Sequence, residues 1–368
     1  MLRNKLFIIL ISFIIAYLFL FLILINDNND SYNLPALGDQ NKEVFAKYNN
    51  HSIHCQDLTN VDKCLVSLNK FDLNNILWLG NSQLHAINQK MLNDRNASER
   101  LFKKTIEHDF FLLTLSQPNS NLQEHYLLYE YILNFTKVDI LILPVVFDDL
   151  RETNIRNDLR GILEIDEVVE KIQKTSIGKK IIKKNNDSEN IKKNTKEVSN
   201  IYLQDLSEKY LNNNLAKISS VWEQRDKLRS RIFQLLIKTR NYVFRITPQS
   251  ERKIIPQRYE DNIFALNEII KSTKANKTKV VLYIPPLRND VKIPYNLNDY
   301  IKFKSLLFEL SQNESIVFLN FEGIVPKQFW GFKNLNNTNE IDFMHFKGEG
   351  HKILSDKLYQ ELIHNFIK

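Results

Sequence analysis

A chain of 368 residues is long enough for one large α/β domain with decorations, or for two small domains. Its hydrophobic content of 43% supports a real core and excludes wholesale disorder. Much of the formal net charge of +7 sits in one Lys-rich stretch, a balance that suits an acidic surface or polymer nearby and not a nucleic-acid fold.

The first element is an apolar run from Leu6 to Ile25, interrupted only by Ser12 and Tyr17. A helix of about 20 such residues spans a bilayer core. Arg3 and Lys5 precede it and a polar Asn/Asp stretch follows, so the positive-inside rule puts the N-terminus in the cytoplasm and the rest outside. A cleavable signal peptide is the competing reading. Its apolar region is shorter and ends in small residues, whereas this run ends Phe21-Leu22-Ile23-Leu24-Ile25 with no Ala-x-Ala site. An uncleaved single-pass anchor over residues 1–25 is therefore expected.

Residues 26–70 read as a polar stalk followed by a segment carrying Cys55 and Cys64. Outside the membrane these two can pair as a disulfide; two unrelated thiols are the alternative. With His51 and His54 they do not reproduce a usual zinc-finger spacing, and no metal site is expected.

The first part of the main domain is expected over 71–160. A buried strand, Ile76-Leu77-Trp78-Leu79, ends in Gly80-Asn81-Ser82-Gln83. Leu127, Leu128, Tyr131, Ile132 and Phe135 have helical spacing, and a second buried strand runs from Val138 to Phe147 and ends in Asp148-Asp149. Residues 161–254 break this pattern as a Lys-rich loop and a helical insertion. Lys174 to Asn200 has few apolar residues and reads as a solvated loop or disordered insert. Leu211, Leu215, Ile218, Trp222, Leu228, Ile232 and Leu236 then recur at helical spacing among Arg and Lys residues. That helix either packs on the main domain with a solvated basic face or lies on anionic lipid or polymer.

The second part of the domain is expected over 255–368. Here a helix through Ile263, Leu266 and Ile270 precedes a strand, Lys279 to Ile284, stopped by Pro285-Pro286. A helix through Tyr300, Phe303 and Leu307, a strand from Ile316 to Asn320, and a last helix through Leu354, Leu358 and Leu362 complete the chain. Strands alternating with helices predict α/β architecture with a doubly wound parallel sheet, flavodoxin-like in kind. Ligands of such sheets bind beyond the carboxyl ends of the strands.

Two segments could carry chemistry there. Ser82 leaves the first strand through a Gly-permitted turn, and a serine becomes a nucleophile once a base takes its proton. Asp342 and His345 stand three apart just before the last helix, a spacing that can set the carboxylate against one imidazole nitrogen and free the other for Ser82. Gly331, Gly348 and Gly350 cluster around that segment in a chain with only 8 glycines. Asp148, Arg288 and Tyr295 lie in loops after strands and are candidates for substrate binding, with capping or plain surface roles as the duller reading. His351 opens the last helix and reads as structural.

A nucleophile after the first strand and an Asp-x-x-His pair before the C-terminal helix resemble the SGNH/GDSL hydrolase superfamily, over roughly 71–160 and 255–368. The likeness is greatest to its membrane-anchored bacterial envelope members, those of polysaccharide O-acetylation and lipoteichoic-acid D-alanylation. The resemblance implies Ser82 as nucleophile, His345 as general base and Asp342 as its orienter. It implies an O-acyl esterase or acyltransferase working on a cell-envelope glycan or acylated polymer from the outer face of the bacterial cytoplasmic membrane, without metal or organic cofactor. A multi-pass membrane acyltransferase is the candidate partner. Gly-Asn-Ser replaces the usual Gly-Asp-Ser, and the family's second-block Gly and Gly-x-Asn-Asp third block are missing. The backbone N–H of Ser82 and the amides of Asn119 or Asn121 are the oxyanion-hole candidates. The rival reading is a non-catalytic envelope protein that keeps the fold to bind glycan or a membrane acyltransferase.

Overall fold

Continuous apolar runs bounded by polar turns suit strands buried on both faces, and the chain uses them so. The computed structural model describes residues 40–55, 58, 61–194, 239–247, 250–312, 316–334 and 337–367, with Ser12, Asn214, Ile232 and Leu236 as isolated positions. Two compact units divide the chain: Met1–Gly38 with Ser188–Thr247, and Asp39–Asp187 with Pro248–Lys368. The expected anchor, Leu6 to Ile25, and most of the helical insertion lie outside the described residues. Among the described residues no helix is long and apolar enough to cross a membrane.

In chain order the second unit contains β1 (Asn41–Glu43), β2 (Lys47–Tyr48), β3 (His51–Ser52), β4 (His54–Cys55), α1 (Val61–Lys70), β5 (Asn74–Gly80), β6 (Ala86–Asn88), α2 (Ala97–Thr105), β7 (Phe110–Ser116), α3 (Leu122–Ile132) and β8 (Ile140–Pro144). There follow α4 (Asp166–Ile172), α5 (Ser176–Asn194, which runs on into the first unit), α6 (Pro256–Ala275), β9 (Lys279–Ile284), α7 (Leu297–Leu310), β10 (Ile316–Asn320), β11 (Trp330–Asn334), β12 (Asn337–Phe346) and α8 (Gly348–Asn365).

Six strands form one parallel sheet in the order β10-β9-β8-β5-β7-β4. The four strands expected from sequence are the neighbours β10, β9, β8 and β5. From β5 the chain crosses to β7 on one side, then returns past β5 to β8 and continues outward to β9 and β10. Right-handed crossovers in opposite directions put helices on opposite faces. Accordingly α2 packs with α8, and α3 with α6. The reversal falls at β5, and the carboxyl end of the strand at such a point is where doubly wound sheets bind their ligands. Trp78 of β5 and Tyr283 of β9 are fully buried, and the indole N–H donates to the Tyr283 hydroxyl at 3.2 Å, so neither polar group is stranded in the core.

Two expectations change. The segment 40–70 is not a stalk: β1 pairs antiparallel with β6, β4 adds to the edge of the main sheet, and Ala46, Ile53 and Leu65 join the core. Cys55 and Cys64 are joined in a disulfide that ties β4 to α1. The Lys-rich stretch is not a loop over its first part, because Ser176–Asn194 is helical. Ile177 and Ile181, one turn apart, are buried in the core. Lys180 and Lys184, on the next stripe, donate to the two carboxylate oxygens of Asp261 on α6 at 2.9 and 3.2 Å. Mean composition hid this, since two isoleucines and two lysines at i,i+4 spacing are enough to dock a helix. Residues 195–200 of that stretch lie outside the described residues.

Ile181→Ala is expected to lower the unfolding free energy by about 2–4 kcal/mol, since a buried Ile is exchanged for a cavity. Replacing both cysteines by serine should cost about 2–3 kcal/mol through the freed denatured chain. Urea melts of the two variants measure both effects, and an unmoved midpoint for Ile181→Ala would show that α5 is not packed.

Candidate active site

Ser82 is set by the turn that ends β5. A Cβ on Gly80 would meet Leu84 Cδ1 at 2.4 Å, so a larger residue there would displace the Leu84 side chain that packs over the short 3-10 turn Ser82–Leu84. Asn81 accepts the Gln83 N–H on Oδ1 at 3.0 Å and donates from Nδ2 to Asp149 at 2.9 Å. The side-chain amide of Gln83 then donates to Pro286 O and Met344 O at 2.9 and 2.8 Å. One buried glutamine thus binds the nucleophile turn to the loop after β9 and to β12.

Asp342 and His345 lie on β12 of a β11–β12 hairpin, not in a simple loop before the last helix. In a regular strand residues three apart face opposite sides. The register resolves this: Trp330 pairs with Phe346 and Phe332 with Ile341, so only Gly331 stands opposite Asp342–His345. The extra residues bulge out, and Asp342 Oδ1 accepts the N–H groups of Met344 and His345, each at 3.0 Å. That bulge turns the His345 ring back onto its own Asp. Gly331 is required opposite it, because a Cβ there would fall 1.8 Å from Asn88 Oδ1.

The structure brings the three residues together. His345 Nδ1 lies 3.1 and 3.0 Å from the two Asp342 oxygens, and Nε2 lies 2.9 Å from Ser82 Oγ. Burial alone would raise the Asp342 pKa. The charge and hydrogen bond of His345, with donors from Asn41 and Met344 N–H, outweigh that and hold the carboxyl well below the usual range. A carboxylate at Nδ1 fixes the hydrogen there, so Nε2 presents a lone pair and the Ser82 hydroxyl donates to it. Ser82 and His345 keep 7% and 6% of their surface exposed, while Asp342 keeps 1%, so the first two retain a little access from outside and the carboxylate has almost none. The arrangement can take a proton from Ser82 as its oxygen attacks a carbonyl.

The other expected site residues are used differently. Asn121 caps α3 through Glu124 N–H, and its amide donates to Asn154 O at 2.9 Å. Asn119 is exposed in a turn with a positive φ of 53°. Neither has a hydrogen bond to Ser82, and the Asn121 amide is already engaged by Asn154 O. The Ser82 N–H is a donor with no partner among the described residues. Asp148 is held by Arg252, Arg151 and the Tyr295 hydroxyl, which fills the roles of both Asp148 and Tyr295 with local pairing. Arg288 is no free anion receptor: its guanidinium chelates Asp290 at 2.8 and 3.1 Å and donates to Gly331 O at 2.6 Å, which pins β11. Next to Asp148 in the chain, Asp149 is pushed well above the usual carboxyl range by burial, against the pull of the Asn81 amide.

No protein-family model and no curated protein matches the sequence. Among solved structures, an active-site mutant of a family two carbohydrate esterase from Clostridium thermocellum is similar at 7% identity with a TM-score of 0.36, over 79% of this chain and 64% of that one. The chain thus spans a little under two thirds of that protein. An acylhydrolase candidate from Bacteroides fragilis is similar at 10% identity with a TM-score of 0.35, over 85% of this chain and 100% of that one.

Beneath the triad lies a buried histidine relay that sequence reading missed, since its members are far apart in the chain. Asn96 Oδ1 caps α2 at Glu99 N–H, which turns its amide nitrogen toward His54 Nδ1 at 3.2 Å. His54 Nδ1 also lies 2.7 Å from Ser98 Oγ, its Nε2 lies 2.6 Å from Ser116 Oγ, and Ser116 Oγ lies 2.7 Å from His85 Nδ1. His351 accepts the Ala97 N–H on Nδ1 and donates from Nε2 to Ala86 O. Burial pushes His54 and His351 down to about 3, and the remote His125 likewise. The unfolded chain therefore binds more protons than the native one between an ordinary imidazole pKa of about 6.5 and the folded values. Stability is fully present above that range and is lost as pH falls, by up to about 1.4 kcal/mol per pH unit for each histidine. Urea midpoints should accordingly drop steeply from pH 7 to pH 5; a flat profile would show that these rings are not buried neutral.

Proposed function

We propose that the chain is an SGNH-type serine hydrolase, an O-acyl esterase or acyltransferase that works on a cell-envelope glycan through an acyl-enzyme. The observation that carries this reading is the line Ser82 Oγ, His345, Asp342, assembled from opposite ends of the chain at 2.9 and 3.0 Å. Ser82 Oγ attacks the ester carbonyl while its proton passes to His345 Nε2. The carbonyl oxygen of the tetrahedral intermediate faces the Ser82 N–H. On collapse the C–O bond to the leaving alcohol breaks, and His345 returns the proton to that oxygen. Water, or a sugar hydroxyl in the case of transfer, then gives its proton to His345 and attacks the acyl-serine; on collapse the bond from the acyl carbon to Ser82 Oγ breaks, and His345 returns the proton to Oγ, which restores Ser82 and releases the acid or the new ester. Asp342 stays ionised throughout and stabilises the imidazolium.

An extracytoplasmic place for this domain is part of the proposal. Its support is the apolar run Leu6 to Ile25 behind Arg3 and Lys5, and the Cys55–Cys64 disulfide, a bond that persists in oxidising compartments. The envelope glycan as substrate and a membrane acyltransferase as partner belong to the same proposal. A second reading has one observation behind it: the Asn121 amide, one of the two oxyanion candidates, already donates to Asn154 O and caps α3, and each missing donor costs roughly 3–4 kcal/mol in the transition state. That favours a slow enzyme, or a protein that retains the fold for binding.

A serine-reactive phosphonate and a small acetyl ester separate the two. Ser82 should be labelled covalently, and Ser82→Ala and His345→Ala should each remove nearly all turnover with the fold intact. Asp342→Asn should lower turnover by about 10³–10⁴-fold, because the His345 tautomer is no longer held. Double variants should be little worse than single ones, as the residues act as one unit. Absence of both label and turnover, with glycan binding retained, would move the assignment to the binding protein.

A further inference from the structure

Asp342 takes a donor from outside the hairpin that carries it. Asn41 Nδ2 donates to Asp342 Oδ2 at 2.7 Å. The carboxylate can only accept, so this contact fixes which way the Asn41 amide points. Asn41 opens β1 and stands directly opposite Asn88 in the β1–β6 pair. Backbone bonds fasten the strand on both sides: Gln40 N–H donates to Lys333 O of β11, Val44 N–H to His85 O, and Gln89 N–H to Gln40 O. Asn88 donates to Phe332 O at 2.8 Å and reaches the same Asp342 oxygen only at 3.4 Å. β1 is thus woven between the segment that follows Ser82 and the hairpin that bears the acid.

The two carboxylate oxygens are served differently. The bulge's own N–H groups hold Oδ1. Oδ2 shares His345 Nδ1 and otherwise depends on Asn41, with Asn88 at the limit of hydrogen-bond length. At 1% exposure Asp342 has almost no access to water that could replace a lost donor. We infer that Asn41 is a positioning residue of the triad: β1 delivers the amide that orients the Asp342 carboxylate, so His345 presents a lone pair to Ser82 only when β1 is docked between β6 and β11. This rests on the serine-hydrolase reading above. It makes residues 40–43 a working part of the site and not a tether to it.

The test uses the full chain and a serine-reactive phosphonate, with kinact and KI measured separately beside the melting temperature. Asn41→Ala should lower kinact by about 10- to 100-fold, the size expected for losing one hydrogen bond to a charged group, and leave KI unchanged. Asn41→Asp keeps the side chain's size, so it decides the matter should the alanine variant fail to fold. It sets a second carboxylate against Oδ2, and kinact should fall at neutral pH. The ratio of its rate to wild type should recover as pH is lowered and the two acids share a proton, a signature a purely structural role does not give. Wild-type kinact in both variants overturns the inference and leaves the triad standing. So does a loss that merely follows the melting temperature in both. No labelling of Ser82 in the wild type overturns the hydrolase reading, and this inference with it.

Discussion

A carboxylate deprived of water is stable only where enough donors replace it, and that constraint at Asp342 organises the site. Two backbone N–H groups of its own bulge, one imidazole nitrogen and the Asn41 amide converge on it, with Asn88 behind them. Three of these donors belong to the hairpin strand that carries Asp342, while the two asparagines reach it from β1 and β6. The bulge exists because Gly331 leaves room opposite it, and Asn41 arrives because β1 pairs with β6. The ion stays charged, and its charge in turn decides which nitrogen of His345 carries hydrogen. Nothing in the Ser82 turn itself could do that.

The nucleophile depends on topology instead. β5 is the central strand at which chain direction reverses, so its carboxyl end is flanked by neighbours whose crossovers lie on opposite faces. The turn after it is buried, and Ser82 keeps only 7% of its surface exposed. Gln83 and Arg288 then close the distance between this edge and the hairpin: one amide spans Pro286 and Met344, and one guanidinium, neutralised by Asp290, caps the Gly331 carbonyl. An Arg beside the site here is a strut. Its charge is already paired, so it offers little to an anionic ligand.

The buried histidines show how a polar interior can stay neutral. His54, Ser116 and His85 form one hydrogen-bonded chain that starts from the cap of α2, where the Asn96 amide and the Ser98 hydroxyl both meet His54 Nδ1. It lies behind the strand ends that carry Ser82, and it links the N-terminal segment, β7 and α2 into the same polar unit.

The sequence by itself determined four of the six strands of the main sheet and the candidate residues at its edge. Runs such as Ile76–Leu79, Ile140–Leu143 and Val280–Ile284 can only be buried strands, and a serine after the first with an Asp-x-x-His before the last helix names its own candidates. Phe110–Leu115 carried the same signal and was passed over, whereas β4, two residues long, carried none. Tertiary structure alone decided which donors serve those groups. Hydrogen bonds between residues as distant as Asn41 and Asp342, or His54 and Ser116, depend on strand order and register, and local periodicity is blind to both. The same holds for Asn121, Arg288 and Asp148: their side chains suited a site, but a cap, a carboxylate and two arginines claimed them first. A polar residue's chemistry is written in its type; whether that chemistry is free for function depends on what the fold places within three ångströms of it.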